Sequence, residues 1–196
     1  MFHSHFDPNK SFFISDIHAN HKNIVSGVSS WEDGRGCRNF KTIHEMNDTI
    51  INSINNTVGE NDYLFHLGDI IFGNREELYG FRKRINCKNL FHIFGNHDDK
   101  IRSMDLSKIF TWSGDYLEIF VNKQLICLFH YPISVWRECH KGSWCLCGHS
   151  HGQFEQSTVK SNNGKILDLG WENFQKPLSY QEINALMSKK NIIKHH

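Results

Sequence analysis

Asn89-Leu90-Phe91-His92-Ile93-Phe94-Gly95-Asn96-His97-Asp98 is an apolar run that stops abruptly at a glycine and three polar residues. A run this short, rich in Phe and Ile and bounded by a turn signal, predicts a buried β-strand over 89–94. The same pattern recurs on both sides of it. Ser11–Ile17 ends in Asp16-Ile17-His18, and Asp62–Leu67 is followed by Gly68-Asp69. Gln124–Phe129 is followed by His130, and Trp144–Cys147 by Gly148-His149-Ser150-His151. Five buried strands therefore end in Asp, Asn or His. The i, i+2 spacings at 16/18 and 149/151 place each pair on one side of an extended chain. In α/β sheets the carboxyl ends of strands are where ligands bind.

Further strands are predicted at Tyr116–Val121, joined to Gln124–Phe129 by an Asn122-Lys123 turn, and at Thr158–Lys160 and Ile166–Leu169 around Asn162-Asn163-Gly164. Thr42-x-x-Glu45 reads as a capping box, with Ile43, Met46, Ile50 and Ile54 at helical spacing after it. Arg75–Ile85 reads as a charged helix. Ser179-x-x-Glu182, just after Pro177, opens a C-terminal helix to about residue 190. Strand–helix–strand order followed by hairpins predicts an α/β protein with a mixed sheet. No repeat or Pro/Gly-rich linker interrupts the chain, so a single domain over 1–196 is expected.

The chain has 196 residues, 39% apolar and 22% charged, with 22 Lys+Arg against 21 Asp+Glu. This balance excludes a strongly basic coat for nucleic acid. No apolar run approaches the roughly 18–20 residues that cross a bilayer. The polar N-terminus lacks a secretory signal core, so a cytoplasmic location is expected. The six cysteines contain no C-x-x-C pair and read as reduced, mostly buried thiols. The 14 histidines are the unusual feature and direct the search to metal ligands.

His and carboxylate ligands without thiolate suit Mn, Fe, Zn or Ni, with Mn favoured. Seven ligands of this kind exceed one tetrahedral site and suit two ions sharing a bridge. Two carboxylates leave two dications with net positive charge, which favours an anionic substrate. Ions about 3.5–4 Å apart can hold a nucleophilic hydroxide and clamp phosphoryl oxygens.

These segments, in this order, resemble the five blocks of the calcineurin-like metallophosphoesterase superfamily. The phrases HKNI, EMND, LFHLGDIIFG, GNHDDKI, HYP, GHSHG and LDLG resemble its short bacterial and phage-type branch. The resemblance implies a four-layer αββα sandwich of two mixed β-sheets. It implies that Asp16, His18 and His151 hold a first metal, that Asp69 bridges, and that Asn96, His130 and His149 hold a second. His97 would not be a ligand but would serve the leaving group, with Asp98 accepting its hydrogen bond, while a bridging hydroxide attacks phosphorus. The chain reads Asp168-Leu169-Gly170-Trp171-Glu172 where that branch more often carries Asp-Val-Gly-Val-Asp, so the substrate-side wall is expected to differ.

His66 and His92, inside apolar strands, are expected to be core residues with satisfied nitrogens. His5 is expected near a mobile terminus. The loop over 27–41 is long enough to be functional, and Arg38 within it is a candidate phosphate contact. Tyr131 and Trp136 are candidates because they follow His130, and Arg137 and His140 are further ones. The expected activity is metal-dependent hydrolysis of phosphate mono- or diesters, on a small nucleotide-like substrate. Nuclease activity on nucleic-acid phosphodiesters is the alternative, disfavoured by the near-neutral charge. A non-catalytic binding module that kept its metals, or a mononuclear or structural metal protein, are the other readings.

Overall fold

Apolar runs of four or five residues set the frame. In the computed structural model, which describes residues 4–30, 38–154 and 164–193, Ser11–Ile14 (β2), Tyr63–His66 (β3) and Asn89–Ile93 (β4) pair in parallel. Trp112–Gly114 (β5) adds in parallel to β4, and Leu178–Ser179 (β10) adds antiparallel to β2, which makes this sheet mixed. The second sheet is also mixed. Its order is Ser4–Phe6 (β1), Tyr116–Val121 (β6), Gln124–Phe129 (β7), Trp144–Cys147 (β8) and Ile166–Asp168 (β9), with only β6 and β7 antiparallel. The two sheets lie face to face, as the sandwich expectation required.

Period-2 alternation sorts the strand side chains between layers. Phe13, Phe65, Leu67, Phe91 and Ile93 of the first sheet meet Leu117, Ile119, Ile126, Leu128, Trp144 and Leu146 of the second in one buried cluster. The alternate residues Ile14, Leu64 and Leu90 pack outward against Ile43–Thr57 (α1) and Arg75–Arg84 (α2). Tyr180–Met187 (α5) closes the edge of the sheet core through Tyr180, Ile183 and Met187. On the outer face of the second sheet, Cys127, Cys145, Cys147 and Ile166 pack with Trp136 and Cys139. Among the described residues no disulfide joins the five cysteines, and all five are buried, as reduced thiols should be.

Local signals behave as their chemistry dictates. Asn122 and Lys123 are both left-handed, at φ 48° and 66°, as a two-residue hairpin turn requires. Ser179 and Glu182 complete a reciprocal capping box. At α1 the Thr42 side chain caps Glu45, but the Glu45 carboxylate returns to the N–H of Lys41 instead of Thr42, one residue earlier than expected. The first strand is shorter than Ser11–Ile17. Asp16 and His18 have φ of 53° and 48°, and a left-handed backbone cannot continue a ladder. The predicted strand Thr158–Lys160 and the Asn162-Asn163 turn lie outside the described residues.

The short strands β1, β5 and β10 were not read from the sequence. His5 sits in β1 and stacks on Phe120 at 5.3 Å, so it is part of the sheet. His66 and His92 are core residues, registered across β3 and β4 with ring centroids 5.3 Å apart. His92 Nε2 finds Asp98 at 3.1 Å, but His66 is not satisfied as expected: among the described residues neither of its buried ring nitrogens has a hydrogen-bond partner. Period-2 alternation turns them to the apolar helix side of the sheet.

Candidate metal centre

The strand ends of both sheets open at one edge, and the left-handed turns there aim the polar side chains inward. Asp16, His18, Asp69, His149 and His151 all have positive φ, between 48° and 72°. Each such residue costs on the order of 1–3 kcal/mol, and strain of this kind collects at functional sites. Backbone bonds hold the turns: the Asp16 N–H donates to the Gly68 carbonyl and the His18 N–H to the Asp69 carbonyl, each at 3.0 Å.

The carboxylates stitch neighbouring turns together. Asp16 accepts the His149 N–H at 2.9 Å, and Asp69 accepts the His97 N–H at 2.8 Å. These approaches need glycine. A Cβ on Gly95 would overlap the Asp69 carboxylate, and one on Gly148 would overlap Ser15 and the Asp16 carboxylate.

All seven residues read as ligands converge here. His18 Nε2 and His151 Nε2 stand 3.0 Å apart, and Asp16 Oδ1 is 3.8 and 3.9 Å from them. Asn96 Oδ1 lies 3.1 Å from His130 Nε2 and 2.9 Å from His149 Nδ1. Asp69 Oδ2 lies between the groups, 3.6 Å from His18 Nε2 and 3.5 Å from His130 Nε2. Two sets, Asp16–His18–His151 and Asp16–Asp69–His130, bring donor atoms within 4.8 Å of one another. Such spacing lets one ion reach several donors at about 2.0–2.2 Å.

The electrostatics fit a divalent cation. Asp16 is fully buried, and without a cation beside it burial pushes its carboxyl up to about 8, only partly offset by His151. Burial also raises Asp69. It lowers His18, His130 and His149, which keeps them in the neutral form that coordinates metal. The His130 Nδ1 meets the Leu67 carbonyl at 2.8 Å, which leaves Nε2 to face the site.

Several expected roles change. Asp98 does not accept from His97; among the described residues no such bond exists. Its buried carboxylate turns beneath the site and accepts the N–H groups of Gly95, Asp69 and Ile70 at 2.7, 2.8 and 3.1 Å. His92 Nε2 lies 3.1 Å from the same carboxylate. Burial alone would raise Asp98, but His92 and these donors outweigh it and hold the carboxyl well below the usual range. His97 is exposed at the rim, its ring 5.4 Å from that of His18 and 4.8 Å from Phe72.

Arg38 is not a free phosphate contact. It is 6% exposed, and its guanidinium is engaged by Glu172 and the Asp16 and Ile17 carbonyls. Trp136 is likewise in the core, with its indole N–H on the Ser143 carbonyl at 3.1 Å. Arg137 pairs with Glu118 at 2.6 Å, and His140 lies on an exposed 3₁₀ turn. Tyr131 does border the site. Its exposed ring sits edge-on to His130 and His149 at 4.9 and 4.7 Å.

Two residues at the site, Asp168 and Glu172, are read from the sequence only as part of a differing substrate-side wall. Glu172, in Trp171–Phe174 (α4), places Oε1 3.1 Å from His151 Nδ1. Burial would raise Glu172, but His151 and Arg38 prevail and hold it at about 2. His151 is raised in turn, the Glu172 bond and charge outweighing burial. Asp168 accepts from the Ser150 hydroxyl and from the Gly152 and Gly170 N–H groups, which anchors the turn carrying His149 and His151. A signal for both existed: Asp168–Glu172 follows a buried strand just as the ligand segments do.

The family model described as calcineurin-like phosphoesterase matches residues 10–196. An uncharacterized protein of Methanocaldococcus jannaschii is 27% identical over 193 residues, spanning 94% of this chain and 95% of that one. The crystal structure of a protein of unknown function from Aquifex aeolicus is similar in fold, with a TM-score of 0.68 and 24% identity over 93% of this chain and 100% of that chain.

Proposed function

Because this chain belongs to the calcineurin-like phosphoesterase family, we propose that it hydrolyses small phosphate mono- or diesters at a centre holding two divalent ions, Mn²⁺ foremost. The observation that carries the reading is the place of Asp69 Oδ2, 3.6 Å from one histidine of the first ligand group and 3.5 Å from one of the second. A carboxylate so shared is what a bridged ion pair requires. Asp16, His18 and His151 would hold one ion, and Asn96, His130 and His149 the other.

Bound there, the ions supply Lewis-acid stabilisation of the phosphoryl oxygens and a lowered pKa for the attacking water. The chain's own residues do the rest. His97, exposed at the rim, is placed to give a proton to the oxygen that leaves when the P–O bond breaks. Its backbone N–H meanwhile holds the Asp69 carboxylate. Tyr131 borders the site beside His130 and His149. Grooves of about 350 and 560 Å³ meet at Phe72, one lined by Asn96, His97 and Lys100, the other by Asn20, His21 and Lys22. They have the size for a nucleotide-like leaving group, and their mixed charge suits a small substrate better than a polyanionic strand.

The test is hydrolysis of p-nitrophenyl phosphate and bis-p-nitrophenyl phosphate by chelator-stripped protein, with and without Mn²⁺. Mn²⁺-dependent turnover that collapses in His97→Ala supports the reading. Absence of metal-dependent turnover on either ester, with two ions bound, favours a binding module.

A further inference from the structure

Arg38 and Glu172, 134 residues apart, meet behind the first ligand group at 2.8 Å between Nη2 and Oε1. Arg38 Nε donates to the same oxygen at 2.9 Å. The remaining donors are directed elsewhere: Nη2 to the Asp16 carbonyl at 2.5 Å, and Nη1 to the Ile17 carbonyl at 2.6 Å. Glu172 Oε1 also faces His151 Nδ1 at 3.1 Å, while Glu172 Oε2 is buried with no hydrogen-bond partner among the described residues. One guanidinium thus joins the turn that bears Asp16 and His18 to the carboxylate that touches His151.

A buried ion pair is a poor device for stability, since apolar replacements are often as good or better. Its value here is directional. A ligating histidine needs its second ring nitrogen held, which fixes both tautomer and ring plane. We propose that Glu172 and Arg38 are positioning residues of the first metal subsite. Glu172 takes the Nδ1–H of His151 so that Nε2 turns its lone pair toward the site it shares with His18 Nε2 and Asp16. Arg38 keeps that carboxylate in register with the Asp16–His18 turn. Only a fork of donors reaches the carboxylate and both carbonyls at once, so lysine cannot replace arginine. The proposal rests on the two-ion reading of the site.

The experiment is calorimetric titration of Mn²⁺ into chelator-stripped full-length protein, for the wild type, Glu172→Gln, Glu172→Asp and Arg38→Lys, with urea unfolding of each apoprotein. In Glu172→Gln one binding event should weaken by about 10–100-fold while the other stays within about 3-fold. Glu172→Asp should recover part of the loss, and Arg38→Lys should behave like Glu172→Gln. Wild-type binding in Glu172→Gln would overturn the proposal. So would equal weakening of both events together with lower apoprotein stability, or no recovery in Glu172→Asp. Failure of the wild type to bind two ions would instead overturn the two-ion reading.

Discussion

Asp98 accepts the backbone N–H of Asp69 at 2.8 Å, so a carboxylate turned away from the site holds the turn that carries the Asp69 carboxylate. With Gly95 and Ile70 also donating, its loss strands three buried N–H groups and leaves His92 without its acid. Asp98→Ala should lower unfolding free energy by about 3–5 kcal/mol. Because the Asp98 carboxyl is held low in the fold, its contribution is complete above the unfolded value of about 3.9 and is lost as pH falls toward the folded value. Urea unfolding from pH 7 to pH 3 should show the wild-type advantage constant and then shrinking below about pH 4. An advantage that grows toward acid would contradict the assignment.

Asp69→Asn should weaken both metal-binding events together. The reason is the near-equal distance of Oδ2 from His18 and His130. Metal counting after dialysis checks it, and clean loss of one ion with the other retained at wild-type affinity would refute a bridge.

His97→Ala should retain both ions and lose about 10²–10⁴-fold in turnover, most for esters with poor leaving groups. The ring stands at the rim, and the bond it lends to Asp69 comes from the backbone, which alanine keeps. Loss of an ion in this variant would make His97 a ligand.

Gly95→Ala should impair metal binding although no donor is removed. The new methyl would occupy the space of the Asp69 carboxylate. Calorimetric titration with Mn²⁺ checks it; wild-type affinity would mean that the turn shifts without effect on the site.

Metal binding at pH 7 should release protons. Without a cation Asp16 titrates at about 8, so an entering ion must expel its proton, and affinity should climb with pH and level off above about 8. Titrations in buffers of different ionisation enthalpy count the protons. A flat affinity between pH 6 and 8 would rule this out.

The sequence by itself determined the elements and their polar ends. Apolar runs such as Asn89–Ile93 and Trp144–Cys147, the Asn122-Lys123 turn and the Ser179-x-x-Glu182 cap are local patterns, decided by backbone geometry within a few residues. The order of ligand-type residues after the strands was legible for the same reason. Strands of two or three residues, β1, β5 and β10, carry too little periodicity to be read and exist because a neighbouring edge pairs with them. The direction of the polar side chains beyond the strand ends was decided by the tertiary structure. Asp98 follows His97 in the chain yet points the other way, because three backbone N–H groups converge beneath it. Arg38, in a loop that read as a phosphate contact, is drawn inward by Glu172 from 134 residues away. Long-range partners of buried charges depend on how the sheets close upon one another, and no local spacing encodes that.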